Sequence, residues 1–236
     1  MNEKTLLKRE GIMAICLAFI GGLLDIFCLV NYSVYATMHT GNVIKVVTSI
    51  VDQDYKLFFE ALLMIIVFII GLIIANIYEK KRNKKGIRGY LNISLLFLVI
   101  AIFIPMDLGP GELSVIKTLS ASLYAFEGAI LMHSFTSFGS NSYSSTTMTA
   151  NLNRTVSTIY DRVALKDKKL NFIIVIYILI FISFILGVLL GYLYLKFIPF
   201  PESGFLALYG RNMLILLPIL IIIICLLMTN DKRTMN

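Results

Sequence analysis

TGNVIKVVTSIVD (residues 40–52) and TANLNRTVSTIYD (residues 149–161) are two versions of one segment, set 109 residues apart. Five of the thirteen aligned positions are identical and five more are conservative. In each copy the polar residues fall at spacings of 3, 4 and 3: Asn42, Lys45, Ser49 and Asp52, then Asn151, Arg154, Thr158 and Asp161. That spacing puts them on one face of a helix. Thr40 and Thr149 are expected to cap these helices, a side-chain oxygen accepting a backbone N–H of the first turn. The stretches just upstream, Asn31–His39 and Ser137–Thr147, are rich in Ser, Thr, Asn and Tyr. A chain break before a capped helix is expected at both places. Short polar triplets recur by chance, but agreement in side-chain class over three helical turns favours duplication.

The surroundings of this repeat are apolar. The chain has 236 residues, 58% of them hydrophobic and only 15% charged, with a mean hydropathy of +0.85. A soluble domain is about half apolar and about a quarter charged. Six apolar runs stand out, at 11–30, 57–79, 89–105, 113–136, 170–197 and 211–228, most of them near the ~20 residues needed to cross a bilayer. The expectation is a single membrane domain over residues 1–236, an all-α polytopic membrane helix bundle of about six transmembrane helices. The net charge of +7 does not point to nucleic acid, because the Lys and Arg residues sit in short loops between apolar runs. Placing both termini in the cytoplasm puts 16 of the 21 Lys and Arg residues on that side, as the positive-inside bias requires. The loops around Asp107–Glu112 and Pro199–Ser203 carry no Lys or Arg and are expected outside. A seventh crossing over 34–51 would move the Lys80–Arg88 cluster outside, so that segment is expected to dip into the membrane or pack on the bundle.

Three crossings per half make the halves, residues 1–106 and 107–236, inverted repeats with interrupted helices. The first break then opens outward and the second toward the cytoplasm. Inverted repeats with broken helices near the midplane are a recurring plan of transporters. Irregular backbone at that depth needs protein or a water-filled cavity to satisfy it.

Two signatures coincide with these breaks. The first is Gly22-Leu23-Leu24-Asp25 followed, after a gap, by Met38-His39-Thr40-Gly41-Asn42. The second is Gly128 followed by Thr146-Thr147-Met148-Thr149-Ala150-Asn151-Leu152. On these residues the chain resembles the YoaK family of bacterial membrane proteins, a group defined by a domain of unknown function. The resemblance implies a six-helix protein of the bacterial inner membrane and supplies no substrate. The second signature departs from the pattern with Ala150 in place of Gly, Ile130 near a common Gln position, and Glu127 for an apolar neighbour.

Ionisable groups within spans are costly and usually face protein or water. Asp25 reads as a proton or cation site, as a partner for Lys45, or as an interfacial carboxylate. Glu127 lies mid-span, and His133 is its candidate partner in a titratable pair. His39 reads as a polar-loop histidine or a ligand. Asn42 and Asn151 are expected to line a central cavity or to bond helix to helix. With Asp25, His39, Thr40, Gly41, Glu127 and Thr149 they form the candidate substrate site. Gly187-xxx-Gly191 and Gly71-xxx-Ala75 are small-residue seams, for packing or for a homodimer through Gly187 and Gly191. Cys16, Cys28 and Cys225 have neither disulfide nor metal spacing, and no cofactor, metal or catalytic motif is found. The expected function is a small secondary transporter or exporter of an unidentified small solute, working by alternating access. The alternative is a membrane binding, sensing or scaffold protein that does not transport.

Overall fold

The computed structural model describes residues 3–82, 87–105, 113–201 and 204–229. The Asp107–Glu112 loop and residues Lys84, Lys85, Lys232 and Arg233 of the charge argument lie outside the described residues. Helix α1 (Glu3–Tyr32) ends at a break, and α2 (His39–Val51) follows. Next come α3 (Tyr55–Arg82), α4 (Ile87–Ile102) and α5 (Leu113–Ser134). A second break contains a two-stranded hairpin, β1 (Ser137–Phe138) and β2 (Asn141–Ser142). It leads to α6 (Met148–Ala164), α7 (Leu170–Phe197), the short α8 (Phe205–Tyr209), a 3-10 turn (Arg211–Ile215) and α9 (Leu216–Thr229).

Lipid explains which side chains are exposed. Ile66, Ile69, Ile70, Ile73 and Ile77 form an exposed apolar stripe on α3, and Ile178, Ile182, Ile185 and Leu189 form another on α7. Rows this long mark a membrane-facing surface. Among the described residues, four helical segments are long and apolar enough to span: Thr5–Tyr32, Tyr55–Lys80, Leu170–Phe197 and Arg211–Thr229. Helix α4 is apolar but has 16 residues, about 24 Å of rise. Helix α5 has 22 residues, with Lys117, Glu127 and His133 among them.

Helix α1 is the buried centre, with Leu17, Leu23, Leu24 and Phe27 fully enclosed. It packs against α7, while α3 packs against α5; α2 lies on α3 and α6 on α7; α4 touches both α5 and α9. The α1–α7 contact is backbone-close. A Cβ on Gly187 would strike the Phe19 carbonyl, and one on Gly22 would strike that of Phe184. Gly191 likewise packs on Ile26, so this seam of small residues serves packing inside the chain.

Helices α2 and α6 are inside out by the standard of a soluble protein. Val43, Val47 and Ile50 of α2 are exposed, and so are Leu152, Val156 and Ile159 at the same offset in α6. Their polar faces point inward, burying Asn42, Ser49 and Asn151. Helix α2 also starts deep. The His39 ring sits 3.8 Å from that of Phe68, thirteen residues and about 20 Å of rise along α3. The chain therefore re-enters the bundle after α1 and returns along α3.

Candidate functional site

Neither Thr40 nor Thr149 is a helix cap. The N-cap positions are Met38 and Thr147, and neither makes a side-chain capping bond. Each helix starts two residues earlier than the threonine cap requires, leaving Thr40 and Thr149 exposed on the first turn. What orders each break is the asparagine. The Asn42 Oδ1 accepts the Tyr35 N–H at 2.8 Å, and its Nδ2 donates to the Tyr35 carbonyl at 2.8 Å. The Asn151 Oδ1 accepts the Ser144 N–H at 2.9 Å, and its Nδ2 donates to the Ser144 carbonyl at 2.6 Å. Each carboxamide thus pairs with a peptide seven residues upstream, as one strand pairs with another. Both amides are fully buried, and neither borders a cavity described below. The cations repeat the pattern twelve residues back: Lys45 Nζ donates to the Ser33 carbonyl, and Arg154 Nε to Ser142 Oγ at 3.1 Å.

Each break is seated on the other half's first helix. A Cβ on Gly128 of α5 would lie 2.7 Å from the Ala36 carbonyl, and one on Gly21 of α1 would lie 2.9 Å from the Ser145 carbonyl. Only glycine lets these carbonyls come so close.

Asp25 is neither interfacial nor paired with Lys45. It is 3% exposed, and its carboxylate accepts the Thr37 N–H at 2.7 Å and the Thr37 hydroxyl at 2.5 Å. It thereby faces the positive N-terminal end of α2, while Lys45 lies 4.8 Å from the centre of the Tyr35 ring. His39 is not in a loop but opens α2. Its Nδ1 lies 3.3 Å from Asn42 Nδ2, and its Nε2 is buried without a partner among the described residues. Gly41 leaves room for Tyr35, whose ring a Cβ there would approach to 2.6 Å.

Glu127 and His133 do not pair. Six residues of helix put them about 120° apart around α5. Ser94 Oγ of α4 donates to Glu127 Oε1, and Glu127 Oε2 has no partner among the described residues. His133 Nε2 instead meets Glu79 Oε2 of α3 at 2.9 Å.

That contact borders a cavity of about 370 Å³ beside the second break, at the end of the bundle carrying Arg9, Lys80 and Arg88. Glu10, Glu79, Tyr90, His133, Phe135 and Tyr143 are among its lining residues. At the opposite end, beside Tyr32 and Val34 of the first break, the space is about 10 Å³, and a groove of about 420 Å³ lies next to it between Tyr55, Phe59 and Leu63 of α3 and Thr118 of α5. There Asn212 donates to the Ile102 and Ile104 carbonyls at 3.2 and 2.7 Å, tying the start of the last span to the end of α4.

Sequence reasoning missed Glu10, Glu79, Tyr90 and Tyr143, which meet from four separate elements without a local motif. It also missed Ser33, Tyr35 and Thr37. The signal for those was present, because the 109-residue offset carried upstream matches Ser33 with Ser142 and Thr37 with Thr146.

A family model described as a protein of unknown function (DUF1275) matches residues 13–227. No curated protein and no solved structure matches the chain.

Proposed function

This chain belongs to the DUF1275 family of unknown function, and from its own architecture we propose that it is a small secondary transporter working by alternating access. The proposed frame is six crossings, built as two inverted three-helix repeats over 1–106 and 107–236. Both termini lie in the cytoplasm, and the membrane is the bacterial inner membrane. The observation that carries the reading is the crossed seating of the breaks, Ala36 on Gly128 and Ser145 on Gly21. Exchanging α1 with α5, α3 with α7 and α4 with α9 leaves the helix contacts unchanged in kind, which supports the repeat. Two packed re-entrant segments that meet on each other's half form an element with two equivalent arrangements, as alternating access requires. Space opens at both ends, as a cavity of about 370 Å³ at the basic end and a groove of about 420 Å³ between α3 and α5 at the other. This is taken as the state in which the second break borders a cavity and the first has only about 10 Å³ beside it. In this reading Asp25, Asn42 and Asn151 hold the breaks in shape. His39, Thr40, Gly41, Glu127 and Thr149 lie beside the path that opens when the breaks shift. A homodimer would use a face other than Gly187 and Gly191.

The test is release from proteoliposomes loaded with a bacterial metabolite extract. A component lost from protein-containing vesicles and retained by protein-free ones identifies the solute. If no component moves, the second reading stands, a membrane binding or scaffold protein. That reading is favoured by the engagement of both asparagine amides and of Asp25 with backbone. Thiol labelling fixes the orientation: cysteines at positions 109 and 203 should react from outside, and those at 84 and 168 should not.

A further inference from the structure

The 370 Å³ cavity falls in the size range of small-molecule sites, about 300–1,000 Å³, and its lining has a definite charge. Glu10 of α1 and Glu79 of α3 border it, with no Lys or Arg among its described lining residues. This is notable at the end of the bundle where basic residues collect, including Arg9, Lys80 and Arg88. A cavity for an anion would draw on those cations; none of these three is among its described lining residues. Both carboxylates keep acceptor capacity. Glu10 Oε2 accepts the Gly139 N–H at 2.6 Å, and Glu79 Oε2 meets His133 at 2.9 Å. A carboxylate offers about four lone-pair sites, so neither is filled.

The aromatic lining points the same way. Tyr90, Phe135 and Tyr143 border the space, and ring faces attract cations, best where water is displaced. Tyr143 is 3% exposed, its ring 5.9 Å from that of Phe138. It borders the cavity together with Glu10. The His133 imidazole already sits between a carboxylate and a ring, 2.9 Å from Glu79 and with ring centres 5.8 Å from Tyr90. It occupies the kind of position a ligand nitrogen would take.

We propose that the cavity enclosed by α1, α3, α4, α5 and the second break binds a small organic cation, with Glu79 and Glu10 supplying the charge and Tyr90, Phe135 and Tyr143 the ring surface. This is a statement about binding and stands whether or not the protein transports.

The experiment is isothermal titration of the purified full chain in lipid nanodiscs. The probes are choline and tetraethylammonium, set against 3,3-dimethylbutan-1-ol, the uncharged carbon isostere of choline. At least one cation should bind saturably and the alcohol should not. Glu79→Gln should weaken the binding cation about tenfold, the scale of one charge-assisted contact. His133→Gln should strengthen it severalfold by releasing the Glu79 oxygen. A purely structural Glu79–His133 pair predicts instead that both variants weaken binding together. Should Glu79→Gln fail to fold, Glu10→Gln reads the same charge from α1, with ligand-free melting temperature as the folding control. The proposal is overturned if neither cation binds, if the alcohol binds as well as choline, or if His133→Gln weakens binding as much as the carboxylate variants. The flux assay is separate, so binding without release supports the site and removes only the transporter reading.

Discussion

At the first break the Thr37 hydroxyl donates to Asp25 at 2.5 Å; at the second, the hydroxyl of the matching Thr146 is buried with no partner among the described residues. Gly21 and Gly128, which play the same part in seating the breaks, set the register of α1 on α5. In that register Met132 stands where Asp25 would be. The second break is also longer, carries a hairpin and borders the cavity. Identical asparagine staples thus hold two breaks that are anchored differently. A buried carboxylate fastens the first to α1. The second is tied to α1 by the Gly139 N–H on Glu10 at 2.6 Å and to α7 by the Tyr177 hydroxyl on the Ser142 carbonyl at 2.6 Å, and the 370 Å³ cavity lies beside it. Two breaks that repeat in sequence need not be anchored alike, and loss of Asp25 is expected to loosen the first while leaving the anchors of the second in place.

The comparison breaks most visibly at Asp25. Asp25→Leu should destabilise the protein by about 2–6 kcal/mol, because the Thr37 N–H and hydroxyl lose their acceptor and each orphaned buried donor costs about 1–3 kcal/mol. Denaturant unfolding in detergent reads it, and a midpoint like that of the wild type would mean the carboxylate does not fasten the first break. Met132→Leu, at the matching position, should change little.

Next in size are the staples. Asn42→Leu and Asn151→Leu should each cost about 1–3 kcal/mol, in similar amounts, since each strips one residue's N–H and C=O of a bond and these part-buried groups can turn to water more readily than the buried Thr37 donors. This exceeds the average of about 0.6 kcal/mol for an interhelical hydrogen bond in a membrane protein, because the partners lost here are backbone groups. Clearly unequal losses would show that the two breaks are not equivalent devices.

Smallest is the difference in the second residue of each triplet. Gly41→Ala forces a Cβ against the Tyr35 ring, at about 1 kcal/mol for modest overpacking. The double variant Tyr35→Ser with Gly41→Ala recreates the Ser144–Ala150 pairing of the second copy and should recover most of that loss. If the double variant is as unstable as Gly41→Ala alone, the ring is not the reason for glycine at position 41. Ala150→Gly should cost about 0.5–1 kcal/mol through helix propensity.

Much of the fold was legible because apolar runs and polar interruptions differ so sharply. The run at 170–197 coincides with α7, and the breaks fall between Tyr32 and His39 and between Ser134 and Met148. Asn42 and Asn151 stood out by repetition, but their use did not. An amide that folds back seven residues depends on backbone shape that no spacing encodes. The threonine caps failed by two residues of helix start. The Glu127–His133 pairing failed because six residues leave the two on different faces, where α4 and α3 supply other partners. The cavity was invisible because its carboxylates lie 69 residues apart in the chain and meet only when α1 and α3 are packed around the second break.

The crossed seating also sets an order in time. Ala36 rests on Gly128, which lies 92 residues later in the chain, and Gly21 waits for Ser145, 124 residues later. At a synthesis rate of about 5–20 residues per second, the first break spends roughly 5–18 seconds in the membrane before its seat exists. During that interval the inward-facing polar side of α2 has only its own half to cover it. The half-made protein is then the form most exposed to quality-control proteases, and a ribosome stalled between the two halves leaves a fragment that has no stable resting place.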